Sequence, residues 1–146
     1  MVDGLTPERR SWNMSRIRGR DTLPERAVRS MLHRLGYRFR IHARALPGRP
    51  DIVLRRYCTV IFVHGCFWHR HVNCRFSYTP KTNVEKWTRK FAANILRDSG
   101  VATQLRQSGW RVITVWECEV SRLDLLSTRL RNELALGALQ NSRGCR

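Results

Sequence analysis

Apolar residues repeat along the chain with two different periods, and the changes of period mark out its elements. Val28, Met31, Leu32 and Leu35 share one face of a 3.6-residue repeat, which predicts a helix opening at Thr22 and stopping at Gly36. Thr22-Leu23-Pro24-Glu25 supplies the start signal, because Thr22 can cap and Glu25 can complete a capping box. An earlier helix is predicted over residues 6–18: Thr6 caps it, Pro7 suits its first turn, Glu8 meets its positive end, and Gly19-Arg20-Asp21 breaks it.

The period then shortens to that of strands. Three extended runs are expected at residues 37–41, 51–54 and 59–63, separated by the loop Ala45-Leu46-Pro47-Gly48-Arg49-Pro50. The third run is apolar throughout, as a central strand is. An irregular aromatic and basic stretch follows, then a helix over 83–97, a strand over 111–116, a helix over 123–136 and a frayed tail over 140–146. This order predicts an α/β fold with one central mixed sheet flanked by helices, and a single domain over residues 1–146.

Composition adds a partner. The chain of 146 residues carries 28 basic and 11 acidic residues, a formal charge of +17, and 25 of the bases are arginine. The arginine fork suits phosphate oxygens, so a polyanion partner is expected, although a codon preference for arginine accounts for its excess over lysine equally well. No apolar run approaches the roughly 18 residues needed to cross a bilayer, and MVDGLTPERR lacks the apolar stretch of a signal peptide, so a soluble, cytoplasmic protein is expected. The five cysteines, at 58, 66, 74, 118 and 145, are an odd number, and in a reducing compartment clustered cysteines bind metal more often than they pair as disulfides; Cys58 and Cys145 have no such company.

The chemistry concentrates between Gly48 and Cys74. In Cys66-Phe67-Trp68-His69-Arg70-His71-Val72-Asn73-Cys74, two thiols and an imidazole lie close enough to share one ion, and Cys118, directly after the strand over 111–116, can close a tetrahedron. The competing reading is buried cysteines beside surface histidines. Asp51 follows Pro50 at the start of a strand, where a carboxylate can hold a hard divalent cation or simply end a turn. Glu25 opens a helix, Asp98 closes one, and His64 and His69 lie just past the strand after that of Asp51, so these groups can converge on one metal cluster. Glu25 has a rival role as the capping partner of Thr22, whereas a carboxylate near a helix C-terminus, as Asp98 is expected to be, opposes the dipole and argues against a purely stabilising role. A histidine beside a metal can take a proton from water or stabilise charge on phosphate; His69 is better placed for this than His42 or His33, which read as structural. Phe67 and Trp68, between two candidate ligands, are expected to protrude, either as a wedge between base pairs or as a cover over the metal. Trp87 and Met14, taken alone, read as packing residues.

These residues carry a family likeness. Leu46-Pro47-Gly48-Arg49-Pro50-Asp51-Ile52-Val53, Val60-Ile61-Phe62-Val63-His64-Gly65-Cys66-Phe67-Trp68-His69, and Gly109-Trp110-Arg111-Val112 through Val115-Trp116-Glu117-Cys118 closely resemble the very short patch repair (Vsr) endonucleases. Asn13-Met14-Ser15-Arg16-Ile17, Asp21-Thr22 with Glu25, and Asn94 with Arg97-Asp98 extend the resemblance over about residues 11–119. It implies a restriction-endonuclease-like fold with structural zinc, and nicking of DNA 5′ to a thymine mispaired with guanine. Such a lesion is left by deamination of 5-methylcytosine, and repair synthesis then replaces a short tract. It further implies that Asp51 and the main-chain carbonyl of Val63 hold magnesium, that Glu25, His64, Asn94 and Asp98 order waters around it, and that His69 is the catalytic histidine. Cys66, His71, Cys74 and Cys118 would bind zinc, Phe67, Trp68 and Trp87 would form a major-groove wedge, and Met14 with its helix would clamp the minor groove.

Two positions depart from that family. Its members usually have one residue between the zinc histidine and the next cysteine, whereas Val72 and Asn73 make two here. Some members have threonine at position 63, where a main-chain ligand makes valine acceptable. A monomer is expected, because a mismatch lacks two-fold symmetry, with mismatch-repair proteins as further partners implied by the family. Two rival functions remain open: a zinc-stabilised DNA-binding protein without catalysis, and a related nuclease with another target.

Overall fold

The computed structural model describes residues 6, 8 and 21–140. Apart from residues 6 and 8, the helix expected over 6–18, Met14 within it, and the tail 141–146 lie outside the described residues. Helix α1 spans Leu23–Arg34, and the Thr22 hydroxyl accepts the Glu25 amide at 3.3 Å to cap it. Val28, Met31 and Leu32 are buried on its inner face, as the spacing predicts.

The sheet has the order β1-β2-β3-β4, from Arg40–Ile41, Ile52–Leu54, Thr59–His64 and Arg111–Trp116. The first two pairings are antiparallel and β3–β4 is parallel, reached through helix α2, Val84–Gln107. Strand β1 is shorter than its apolar run because the Tyr37 amide closes back on the Leu32 carbonyl at 3.0 Å, while Tyr37 and Phe39 pack against the core instead of pairing. In the loop before β2, Gly48 has φ +71 and a Cβ there would collide with the Val101 side chain of α2, so glycine lets the loop lie flat on that helix.

Side chains alternate cleanly across the sheet. Ile52, Leu54, Ile61 and Val115 meet α1 and helix α3, Leu123–Gln140, through Val28, Leu32, Leu126 and Leu130. Val53, Val60 and Phe62 point the other way, onto Leu105 of α2 and Trp110. Helix α2 runs ten residues past its expected end at 97, straight through Ser99 and Gly100, because burial of Leu105 against the sheet outweighs the local break. Asp98 therefore lies inside the helix rather than at its C-terminus, and the dipole argument for its role no longer applies. Strand β4 is a sheet edge, and two of its outward groups are taken internally: Arg129 donates to the Thr114 carbonyl at 2.9 Å and the Trp116 amide donates to Glu119 at 3.0 Å. Among the described residues no helix is long and apolar enough to cross a membrane.

Candidate active site

His64 is the last residue of β3 and keeps the parity of Val60 and Phe62, so it faces α2. There His69 stacks on it, with ring centroids 3.8 Å apart and planes 8° apart. The His69 Nδ1 lies 2.6 Å from Oδ2 of Asp98, which α2 carries to the same point. A carboxylate only accepts, so Nδ1 carries the proton in this contact and Nε2 is left as the working nitrogen. Burial, reinforced by the charge of His69, pulls the His64 pKa down to about 4, so this ring is neutral at physiological pH.

Asp51 stands immediately before β2, at the same end of the sheet. Its Oδ2 accepts the Val63 amide at 2.7 Å, which fixes the carboxyl beside the last turn of β3. Burial pushes its pKa up to about 6; the Val63 amide opposes this, the Glu25 charge adds to it, and Arg29 and His42 oppose it. Glu25 is buried, and in place of the expected capping box with Thr22 its Oε2 accepts the Asp21 amide at 2.9 Å, one residue before the cap, while its charge bears on Asp51. Arg29 bridges Glu25 at 3.0 Å and Asp21 at 2.7 Å, and the His42 Nε2 lies 3.0 Å from Asp21. Of the groups expected to converge on one metal, three meet closely. His64, His69 and Asp98 bring their donor atoms within 4.8 Å of one another. Asp51 has Glu25, Arg29 and His42 as its charged neighbours and joins these three through the Val63–His64 backbone.

Cys66, His71, Cys74 and Cys118 form the second constellation, with all four donor atoms within 4.8 Å. Its assembly follows from the parallel β3–β4 register, in which His64 pairs with Trp116, so Cys66 and Cys118 leave the two strands at equivalent positions. The His71 Nδ1 is 3.7 Å from the Cys66 sulfur and 3.4 Å from that of Cys118. The additional loop residue is absorbed by Asn73 at φ 57, a left-handed turn that asparagine tolerates better than most residues. Burial pushes the Cys66 thiol up to about 12 and raises that of Cys118, whereas the Phe76 amide lowers that of Cys74. The His71 ring stacks on Trp116 at 4.3 Å, and the same indole meets His64 edge-on at 5.5 Å.

Phe67 and Trp68 do not stand out singly as expected. Both are half-buried and pack with Trp87 of α2, at 5.4 and 5.8 Å between centroids, in a cluster completed by Tyr78 and Phe91. Their exposed margin is lined by cations: Lys90 lies 4.9 Å from the Trp68 ring and Arg70 lies 4.0 Å from that of Phe91. Arg70 also donates to the carbonyls of Ser77 at 2.8 Å and Tyr78 at 2.9 Å, which ties the chain after Cys74 to the cluster. The Asn94 amide is engaged, donating to the Trp68 carbonyl at 3.0 Å and accepting from Arg97 at 2.5 Å, so it fixes the Trp68 backbone.

The sequence assigns no role to Arg29, Arg70, Tyr78, Phe91 or Trp116, and His42 reads there as structural only. Arg29 stands four residues after Glu25, and Phe91 four after Trp87, so helical spacing alone could have found both. His42 and Asp21 meet only through left-handed residues at φ 52 and 54, which no local pattern announces.

Comparison with known proteins agrees with this arrangement. A family model described as DNA mismatch endonuclease Vsr matches residues 2–75. A type II nicking enzyme of Xanthomonas oryzae pv. oryzae, V.XorIIP, is 51% identical over 134 residues, covering 92% of this chain and 98% of that protein. The DNA mismatch endonuclease Vsr of Escherichia coli strain K12 is 41% identical over 133 residues, covering 91% and 85%. The type II nicking enzyme V.NmeAIP of Neisseria meningitidis is 41% identical over 130 residues, covering 89% and 92%. With the motifs, the two side-chain constellations and these relatives in agreement, the chain belongs to the Vsr family of DNA mismatch endonucleases.

Proposed function

We propose that the protein nicks double-stranded DNA 5′ to the thymine of a T·G mismatch by magnesium-dependent hydrolysis, and so starts very short patch repair in the cytoplasm, acting as a monomer on a restriction-endonuclease-like fold. The observation that carries this reading is the His69–Asp98 pair at 2.6 Å, set in one short loop with the aromatic residues Phe67 and Trp68. Asp98 orients the imidazole, and Nε2 of His69 holds or moves a proton at the scissile phosphate. His64, neutral and stacked on His69, keeps that ring in place and adds no charge that would repel its protonated form.

Asp51 has an oxygen donor set and no cation in direct contact among the described residues, which fits a hard divalent ion. Asp51 and the Val63 carbonyl would hold magnesium, which supplies charge neutralisation at the phosphate and activation of the attacking water. Glu25 adds negative charge beside Asp51 that favours this cation. Cys66, His71, Cys74 and Cys118 would hold structural zinc: ligands at roughly 2.0–2.3 Å in a tetrahedron place nitrogen and sulfur about 3.5 Å apart. The contacts of 3.4 and 3.7 Å at His71 bracket that spacing. Phe67, Trp68 and Trp87 offer the apolar edge that opens the base stack and probes the weaker pair, while the surrounding arginines supply sequence-blind affinity.

The test compares a T·G duplex with its T·A control. Asp51→Ala is expected to retain mismatch binding and lose magnesium-dependent nicking, and nicking that survived would remove Asp51 from the chemistry. Because two of the relatives are named as type II nicking enzymes, a different target is the second reading, and equal nicking of both duplexes would favour it.

A further inference from the structure

Two cavities of about 490 and 400 Å³ adjoin along the outer edge of β4 and share Arg106, Val112, Thr114 and Trp116. One is bounded by His64, His69 and Asp98, the other by Arg129 and Glu133. Together they form a groove that leaves the candidate active site and follows the sheet edge. A partner β-strand is a poor occupant, because the Thr114 carbonyl and the Trp116 amide already have side-chain partners.

The charges in the groove are unequal in what they can still bind. Arg70 is spent on the carbonyls of Ser77 and Tyr78, Arg111 on the Glu133 carbonyl at 2.7 Å, and Arg129 on Glu119 at 2.7 Å. Of the two acids, Asp98 is engaged by His69 at 2.6 Å, and Glu133 meets Arg129 through Oε1 at 3.4 Å while its Oε2 is buried without a hydrogen-bond partner. Arg106 is exposed, lines both cavities and has no hydrogen-bond or ion-pair partner for its side chain among the described residues, its main-chain carbonyl alone being engaged, by the Gly109 amide. The junction of the groove therefore holds one uncommitted guanidinium, a group suited to a phosphate.

We infer that this groove carries one strand of the DNA away from the scissile phosphate, and that Arg106 binds a backbone phosphate of that strand. The inference rests on the function proposed above and adds a contact outside the catalytic centre. Asp98 and Arg106 are eight residues apart on α2, roughly 12 Å at 1.5 Å per residue. A duplex strand rises about 3.4 Å per phosphate while winding about the axis, which sets neighbouring phosphates about 7 Å apart, so the bound phosphate lies about two linkages from the nick.

The test is the salt dependence of binding to a T·G duplex in magnesium-free buffer, followed by fluorescence anisotropy. One lost phosphate contact lowers the slope of log K against log salt by about 0.9, which corresponds to about eight-fold weaker binding at 0.1 M salt. Arg106→Gln is expected to show both changes, with Arg106→Lys retaining most of the affinity and circular dichroism unchanged for both. Uncharged methylphosphonate linkages placed singly on either side of the nick should weaken the wild type at about the second position and have no further effect on Arg106→Gln there. An unchanged slope, or a methylphosphonate penalty that adds fully to that of Arg106→Gln, overturns the assignment. The ratio of T·G to T·A affinity should be the same in wild type and variant; a wild type with no preference for T·G refutes the mismatch reading, while the slope still decides the role of Arg106.

Discussion

Replacing Asp51 by asparagine should stabilise the magnesium-free protein at neutral pH while abolishing its chemistry. Asparagine keeps an oxygen that accepts the Val63 amide, now at 2.7 Å, and removes only the buried charge. Burial raises the carboxyl from 3.8 to about 6, so protonation is favoured by folding. A group whose folded pKa lies above its unfolded value contributes its full stability below the unfolded value and loses it as pH rises through the folded one. At pH 7.5 the ionised carboxylate therefore costs about 3 kcal/mol relative to its protonated form, at about 1.4 kcal/mol per pH unit. At pH 4 that cost falls to about 0.5 kcal/mol, because the native carboxyl is then almost wholly protonated. Urea unfolding followed by tryptophan fluorescence, without magnesium or chelator, measures the difference between wild type and Asp51→Asn at each pH. The expected result is a variant more stable by a few kcal/mol at pH 7.5, with the gain shrinking below pH 5. Added magnesium should stabilise the wild type and leave the variant unmoved. A variant less stable than wild type at neutral pH, or a gain independent of pH, would refute burial as the cause of the shift.

Asp98→Asn removes the ionised acceptor at His69 and is expected to slow nicking at saturating DNA by about two to four orders of magnitude with binding retained; an unchanged rate would exclude the pair from proton transfer. Cys118→Ser should lower zinc from close to one equivalent per chain by elemental analysis and partly unfold the protein, and a native protein that is folded yet free of metal would refute the zinc assignment. Trp68→Ala should reduce the preference for T·G over T·A by about 5- to 150-fold, the loss of one stacking contact of about 1–3 kcal/mol, and the same preference in the variant would make the aromatic cluster a packing feature only.

What the sequence makes legible is what depends on local spacing. The inner face and cap of α1 are written in Thr22, Glu25, Val28 and Leu32, and the structure has both. The approach of Cys118 to Cys66 is also legible, since each follows an apolar strand and the two strands pair in parallel. The far end of α2 is not: Ser99-Gly100 reads as a stop, and only the tertiary burial of Leu105 carries the helix on to Gln107. That error moved Asp98 to a helix end and supplied a dipole argument for a residue whose position is explained by His69 instead. The half-burial of Phe67 and Trp68 was equally out of reach, because it depends on Tyr78 and Phe91, separated from them in sequence and brought close by the loop and α2.

The loop that carries His69 has little else to hold it. No residue between 67 and 90 belongs to either buried cluster of the described residues, so the two faces of the sheet do not anchor it. Its attachments include the Cys66-His71-Cys74-Cys118 constellation, the aromatic cluster on α2, the Asn94 bond to the Trp68 carbonyl and the contacts of His69 with Asp98 and His64. Two left-handed residues, Arg70 and Asn73, shape a path that regular backbone pairing does not support. Trp116 then couples the halves, since one face of its ring stacks on His71 and its edge meets His64. Opening the four-residue constellation thus removes one of the holds on the Phe67-Trp68-His69 segment and loosens the support beside His64, while Val28, Leu32, Ile61 and Leu130 stay packed. Metal loss should consequently act as a local unfolding that removes base probing and proton transfer together, before it touches the cooperative core.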